Sequence, residues 1–190
     1  MEKTMNIMVV GVGGQGTLLT SRIIGKTALA AGYDVKLSEV HGMAQRGGSV
    51  VTFVRYGEKV YEPVVEEGEA DVLISFERLE AMRYAHYLKR DGIIIVNDCR
   101  IDPMTVVIGA KSYPENIIEG LSEEHKLYSI DGGSVAKELG NSKVLNSVVL
   151  GLAAKHIGFS EEEWLCVLRD TVPPKTVEIN EKAFRRGYES

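Results

Sequence analysis

One stretch decides the fold: Ile7-Met8-Val9-Val10-Gly11-Val12-Gly13-Gly14-Gln15-Gly16, an apolar run that passes directly into a glycine-rich segment. The run predicts a buried strand over Asn6–Val10, and the apolar spacing that follows predicts a helix from Thr17 to Ala31. The glycines satisfy the G-x-G-x-x-G pattern in the strand–turn–helix context that gives it meaning. This arrangement is typical of the first unit of an open α/β sheet.

A second glycine-rich segment follows the next predicted strand, Val35–Val40. It reads His41-Gly42-Met43-Ala44-Gln45-Arg46-Gly47-Gly48-Ser49. Two consecutive strand ends therefore open into loops that allow close approach, and such loops line the ligand crevice of an open parallel sheet. We expect the binding residues in these two loops: Gly11, Gly13, Gly14, Gln15, Gly16, His41, Gln45, Arg46, Gly47, Gly48 and Ser49.

The first loop suits an anion but leaves the ligand open. Glycine permits positive φ, and a helix N-terminus offers free N–H groups and a partial positive charge to a phosphate. Glu39, at the end of the second predicted strand, could bind ribose hydroxyls as in dinucleotide sites, although it leads into His41 rather than a short turn. The alternative is that the glycines serve only tight strand–helix packing or a subunit contact.

Arg46 is the main candidate in the second loop. A guanidinium can bind a carboxylate or phosphate through two parallel hydrogen bonds, and the neighbouring glycines would admit that partner to the backbone. His41 could donate to the same partner. The alternatives are a surface charge or an internal ion pair for Arg46, and a structural role for His41.

Composition excludes several classes of function. The 190 residues predict one domain with a single core, and a net charge of −5 argues against binding nucleic acid. The N-terminus lacks a signal peptide, and no apolar run approaches the roughly 20 residues that span a bilayer. The two cysteines, Cys99 and Cys166, form no Cys-x-x-Cys pair, and no histidine lies at metal spacing. We expect a cytoplasmic chain with reduced thiols, without a bound metal and without a membrane partner.

The rest of the chain predicts a Rossmann-like, mainly parallel sheet with helices on both faces, a β-hairpin insertion and a helical C-terminus. The predicted hairpin joins Ser49–Tyr56 to Lys59–Tyr61. Further strands are predicted at Val72–Phe76, Gly92–Asn97 and Lys126–Ile130, and helices at Glu77–Arg90, Val144–His156 and Lys175–Arg186. Ser160 and Glu163 form a capping-box pattern before another helix.

Two further features are left with alternatives. Asp131-Gly132-Gly133-Ser134 is a turn in which Ser134 caps a helix, or else a third crevice loop. Asn146 is the polar residue of an otherwise apolar helix, and it could bond to the crevice, to another subunit or within the chain.

The two loops, with the closing segment Val177-Glu178-Ile179-Asn180-Glu181-Lys182-Ala183-Phe184, make the sequence recognisable. From about Met5 to Tyr188 it resembles the gamma-type domain of the 2-oxoacid:ferredoxin oxidoreductases. The stretch His41-Gly42-Met43-Ala44-Gln45-Arg46-Gly47-Gly48-Ser49-Val50 is the specific part, and it is most similar to the indolepyruvate branch.

This resemblance implies a subunit of a complex that decarboxylates a 2-oxoacid on thiamine diphosphate. Electrons pass through iron–sulfur clusters to ferredoxin, and an acyl-CoA is released from CoA as co-substrate. It also implies that a large alpha subunit carries the thiamine diphosphate and the clusters. This chain lacks a cysteine cluster and a thiamine-diphosphate Gly-Asp-Gly, since Arg90 precedes Asp91-Gly92. We therefore expect no catalytic residue and no cofactor in this chain alone, and no activity without the partner.

Two other functions remain open from the sequence. One is a stand-alone NAD(P)-binding oxidoreductase, and the other is a non-enzymatic module that binds an acyl-CoA or a nucleotide. If the subunit interpretation holds, apolar surface intended for the partner would let the isolated chain associate as a homodimer.

Overall fold

The computed structural model describes residues 4–41 and 48–190, apart from the side chain of His41. Gln45, Arg46 and Gly47 of the predicted site thus lie outside the described residues, as does the side chain of His41. The described part forms a six-stranded sheet in the order β2-β3-β1-β4-β5-β6. The strands are β1 (Met5–Val12), β2 (Asp34–His41), β3 (Ser49–Gly57), β4 (Ala70–Ser75), β5 (Leu88–Asn97) and β6 (Lys126–Ile130).

The sheet is parallel on one side of β1 and antiparallel on the other. Strands β1, β4, β5 and β6 pair in parallel, whereas β3 pairs antiparallel with both β1 and β2. The predicted α/β class is therefore confirmed. The hairpin lies elsewhere than predicted, because β3 folds back on β2 and not on Lys59–Tyr61. Its residues alternate between the two core faces, so β3 inserts as a buried strand beside β1.

Helices cover both faces of the sheet. They are α1 (Thr17–Ala30), α2 (Arg78–Tyr84), α3 (Met104–Val107), α4 (Ile117–Glu124), α5 (Gly132–Glu138), α6 (Leu145–Ile157), α7 (Glu161–Thr171) and α8 (Val177–Tyr188). Along β1, Ile7 and Val9 face the core shared with α1, α6, α7 and α8. Met8 and Val10 face the smaller core with α2 and α4. Successive side chains of a strand point to opposite faces of the sheet. A strand that is covered on both faces therefore needs a continuous apolar run.

The second predicted helix is shorter than expected. Helix α2 ends at Tyr84, a 3₁₀ turn follows, and β5 begins at Leu88. Leu88 is buried and pairs with Ala70 before a register shift in the β4–β5 ladder. A Cβ on Gly92 would lie 2.9 Å from the Ala70 carbonyl oxygen, so glycine lets the strands approach at this irregularity. Tertiary pairing thus ends the helix earlier than its apolar pattern predicts.

Helices α6 and α8 make the closest contact between helices. A Cβ on Gly151 would lie 1.9 Å from the Phe184 carbonyl oxygen, and a Cβ on Gly187 would lie 1.9 Å from that of Val148. The two glycines therefore let the backbones touch. The predicted capping box of Ser160 and Glu163 is confirmed at the start of α7. Among residues 4–41 and 48–190, no helix has the length and apolarity required to cross a membrane.

Candidate functional site

The first glycine-rich segment meets the described end of the second, Gly48 and Ser49, at the carboxyl end of β1. Strands β1 and β2 are both antiparallel to β3, so their carboxyl ends point the same way. The Gly13 N–H donates to the Gly48 carbonyl at 2.9 Å, and Val12 pairs with Ser49. A backbone hydrogen bond therefore joins the first loop to the described end of the second.

The glycines of the first loop have different roles. Gly14 has φ 102° and Gly16 has φ 88°, a backbone region that side chains disfavour. A Cβ on Gly14 would meet nothing within 4 Å, so this glycine opens the loop to space. A Cβ on Gly11 would lie 2.9 Å from Gln15 Oε1, so Gly11 serves close packing. The packing alternative thus holds for Gly11, while Gly14 leaves room for a ligand.

Gln15 holds the loop in place. Its Oε1 accepts from the Val12 N–H at 2.7 Å, and its Nε2 donates to the Phe76 carbonyl at 2.9 Å. Phe76 follows β4, the strand next to β1. The amide is therefore committed to joining two strand ends, which makes Gln15 a positioning residue and fixes the backbone donors of the loop.

Ser49 is also engaged within the chain. Its hydroxyl donates to the Glu80 carboxylate of α2, and it lies 3.2 Å from the Tyr84 hydroxyl. Helix α2 thus anchors the beginning of β3. Gly48 and Ser49 lie beside the first loop, but Ser49 contributes its side chain to the scaffold.

Two clefts flank the N-terminus of α1. The first has a volume of about 470 Å³ and is called the Asn146 cleft. It is lined by Gly14, Gln15, Gly16, Leu19, Asn141, Ser142, Lys143, Val144, Leu145, Asn146, Val172, Pro173, Thr176 and Asn180. The second has a volume of about 490 Å³ and is called the Glu39 cleft. It is lined by Gly13, Gly14, Gly16, Thr17, Leu18, Glu39 and Val50.

The Asn146 cleft contains residues that the sequence did not assign to the site. It is formed where α6 and the Pro173–Thr176 region meet the first loop. Asn180 is held on its floor, because its Oδ1 accepts from Ser147 at 2.6 Å and its Nδ2 donates to the Thr176 carbonyl at 2.8 Å. The only signal in the sequence was the isolated polar residue Asn146 in an apolar helix, which left its partner open.

The buried carboxylate of Glu77 connects the end of β4 to residues that follow β5 through hydrogen bonds. Glu77 caps α2 by accepting from the Glu80 N–H at 3.0 Å, and it also accepts from the Ile101 N–H at 3.1 Å. The Tyr113 hydroxyl donates to it at 2.5 Å, and burial with this carboxylate raises the pKa of Tyr113. Glu77 therefore holds Ile101 and Tyr113, which follow β5, against the end of β4, and its carboxylate is saturated by these donors.

The turn after β6 is capped differently from the prediction. Asp131 is the N-cap of α5 and accepts from the Ser134 N–H at 2.9 Å, so Ser134 lies within the helix. Hydrogen bonds to Ser134 lower the pKa of Asp131. The Gly132 N–H donates to Asn97 Oδ1 at 2.9 Å. The capping alternative holds, with Asp131 in place of Ser134, because α5 begins at Gly132, directly after Asp131.

The described part of the chain does not fit an iron–sulfur cluster or a metal ion. An iron–sulfur cluster is held by four ligands, commonly cysteines, and the sequence has only two cysteines. Cys99 is partly buried, and burial raises its pKa, whereas Cys166 is exposed. Among the described residues, no group of three or more His, Cys, Asp or Glu side chains could hold a metal ion.

Known proteins resemble the whole chain. The family described as Pyruvate ferredoxin/flavodoxin oxidoreductase matches residues 6–190. Indolepyruvate oxidoreductase subunit IorB of Thermococcus kodakarensis is 43% identical over 99% of this chain and 96% of its own length. The pyruvate/ketoisovalerate oxidoreductases common subunit gamma of Pyrococcus abyssi is 29% identical over 94% and 92%.

Solved structures agree with the sequence comparisons. The gamma subunit of a keto/oxoacid ferredoxin oxidoreductase from Geobacter sulfurreducens has a TM-score of 0.73 at 26% identity, covering 97% of this chain and 96% of its own. The 2-oxoglutarate:ferredoxin oxidoreductase from Magnetococcus marinus has a TM-score of 0.78 at 22% identity. The match covers all of this chain and 31% of the Magnetococcus marinus chain, which shows a common fold. The chain belongs to the pyruvate ferredoxin/flavodoxin oxidoreductase family and is a subunit of an oxidoreductase complex.

Proposed function

We propose that the chain is the small subunit of an indolepyruvate:ferredoxin oxidoreductase, which converts arylpyruvates to acyl-CoA. The observation that carries the proposal is the near full-length similarity to IorB proteins. Four of them are 38–44% identical to this chain, whereas the pyruvate-type gamma and PorC subunits are 27–29% identical. The stretch from His41 to Val50 is the part of the sequence that is most similar to the indolepyruvate branch.

The division of labour follows from what this chain can hold. A large alpha subunit would carry thiamine diphosphate and the iron–sulfur clusters, because two cysteines cannot ligate a cluster. That subunit would also pass electrons to ferredoxin. The small subunit would be inactive alone, would contribute binding groups at its glycine loops, and would work in the cytoplasm, where thiols stay reduced.

The loops have the chemistry to bind an anionic part of the ligand. Of the predicted backbone donors, the Gly13 N–H is already bonded to the Gly48 carbonyl. The N–H groups of Gly14 and Gly16 lie at the N-terminus of α1, which favours a phosphate or carboxylate. Arg46, in the second glycine-rich segment, would add a bidentate charge, with His41 and Gln45 as further donors. We propose that these groups bind the CoA phosphates or the substrate carboxylate at the interface with the large subunit.

The described geometry disfavours the NAD(P)-binding alternative. In dinucleotide sites, the strand that carries the ribose-binding acid lies beside the glycine-loop strand. Here β3 separates β2 from β1, so Glu39 lies two strand spacings, or roughly 10 Å, from the end of β1. The candidate ribose-binding acid is therefore not on the strand next to the glycine loop, unlike the arrangement of dinucleotide sites.

Arg46→Ala in the reconstituted two-subunit complex tests the binding role. Loss of a charged hydrogen bond of about 1.5–3 kcal/mol raises the KM for CoA or for indolepyruvate roughly tenfold or more. The control is Arg22→Ala, which removes an exposed arginine of α1 outside the two loops. Unchanged kinetics for both substrates, with assembly intact, would remove Arg46 from the site.

A further inference from the structure

The Asn146 cleft and the Glu39 cleft differ in charge. Glu39 places a carboxylate in one of them. The residues that line the other include no acid, and Lys143 is the charged residue among them. An anion at the N-terminus of α1 would be repelled on the Glu39 side and attracted on the Lys143 side.

The N-terminus of α1 has no counter-charge of its own. Gly16 is its N-cap, and it offers no side chain to the first N–H groups. The first turn also contains no acidic residue. These N–H groups and the partial positive charge of the helix are therefore available to an acceptor from the cleft.

Asn146 is a second, independent indication of a ligand. Its side chain is buried, with 5% of the residue exposed, and it lines the cleft. It lies against the loop, since a Cβ on Gly16 would be 3.3 Å from Asn146 Nδ2. Asn180 on the same cleft has both of its polar atoms bonded. Among residues 4–41 and 48–190, no hydrogen bond engages the Asn146 amide.

A polar side chain that is largely buried, lines a cleft and has no partner in the described part of the chain is expected where something else bonds to it. We infer that the Asn146 cleft binds an oxyanion, a phosphate ester or a carboxylate. The anion lies between the N–H groups at the start of α1, Asn146 Nδ2 and the Lys143 ammonium. This inference rests on the proposed function only for the identity of the ligand. It places the anion on the Asn146 side of the glycine loop and not on the Glu39 side.

Titration of the full-length ¹⁵N-labelled chain by NMR tests the inference. Pyrophosphate is the probe in one arm and indolepyruvate in the other, at constant ionic strength. Saturable shifts of the Gly14, Gly16 and Thr17 amides and of the Asn146 side-chain amide are expected in at least one arm, and that arm identifies the phosphate or the carboxylate as the source. No saturable shift in either arm, or shifts only around Glu39, would overturn the inference.

Two variants locate the binding groups. Asn146→Asp keeps the size but replaces a donor with a negative charge, and it should weaken binding about tenfold or more. Lys143→Ala should weaken it about two- to fivefold, whereas Lys137→Ala, an exposed lysine outside the cleft, should leave it unchanged. Equal effects of the two lysine variants would contradict the site, even if Asn146→Asp failed to fold.

This measurement separates the inference from the proposed function. Binding is read on the isolated chain, whereas the proposed function is read as activity of the two-subunit complex. An active complex whose small subunit shows no anion binding at Asn146 would overturn the inference alone. Binding at Asn146 in a chain that forms no active complex would support the inference and contradict the proposed function.

Discussion

Gly151→Ala should destabilise the protein strongly, because α6 and α8 touch through their backbones at this residue. The added Cβ would lie 1.9 Å from the Phe184 carbonyl oxygen. Ordinary close carbon–oxygen contacts are about 3.3–3.6 Å, so the helices would have to separate by roughly 1.4 Å. A backbone oxygen cannot rotate away as a side chain can.

The magnitude follows from overpacking of a close-packed core. Such substitutions typically destabilise by about 1–3 kcal/mol, and the backbone contact places this one at about 3 kcal/mol or more. For a chain of this size, that corresponds to a fall in Tm of roughly 6–12 °C. Urea unfolding followed by circular dichroism measures the free energy of unfolding, and thermal unfolding measures Tm.

Gly120→Ala is the matched control. This residue lies in α4, and a Cβ there would meet nothing within 4 Å. Because alanine is the better helix former, the control should leave the free energy of unfolding unchanged or raise it by up to about 1 kcal/mol. If Gly151→Ala unfolds within 1 kcal/mol of the wild type, the direct backbone contact between α6 and α8 is wrong.

Three further outcomes follow from single contacts. Thr52→Val should be neutral or stabilise by up to about 1 kcal/mol in urea unfolding, because the buried Thr52 hydroxyl has no partner among the described residues; a loss of stability would contradict this. Gln15→Leu should raise the KM of the complex for its anionic substrate and lower Tm, because the link from the glycine loop to Phe76 is lost; unchanged KM would remove its positioning role. Bonds to Ser160 lower the folded-state pKa of Glu163, so the capping box stabilises above the unfolded-state pKa and is lost as pH falls through the lower one. Ser160→Ala should therefore lower Tm more at pH 7 than at pH 3, and equal losses would contradict this sign.

Much of the fold could be predicted because local signals agreed with it. The apolar run before Gly11 and the helix after Gly16 are local patterns, and β6 has the bounds that its β-branched and aromatic residues predict. The partner of β3 could not be predicted in this way. Pairing depends on contacts distant in sequence, and the turn at Gly57-Glu58 gave a local signal that the β2–β3 pairing overrides.

The candidate site was predictable in place but not in detail. The two strand ends predicted the edge of the sheet at which a hydrogen bond joins Gly13 to Gly48. The roles of individual residues depend on neighbours that the sequence does not place, as Gln15 shows by bonding to Phe76 on the next strand. Asn146 lies beside Gly16 only because α6 crosses the sheet there, so its place in the cleft required the structure.

Recovery of the chain from native extract together with its partner tests the central claim most directly. The tagged chain would be recovered anaerobically from native extract, and the eluate assayed for viologen reduction that depends on both indolepyruvate and CoA. The account predicts a large iron–sulfur subunit in the eluate, activity with arylpyruvates above that with pyruvate, and no activity from the chain alone. Recovery of the chain without such a partner, with saturable NAD(P)H binding, would contradict the account.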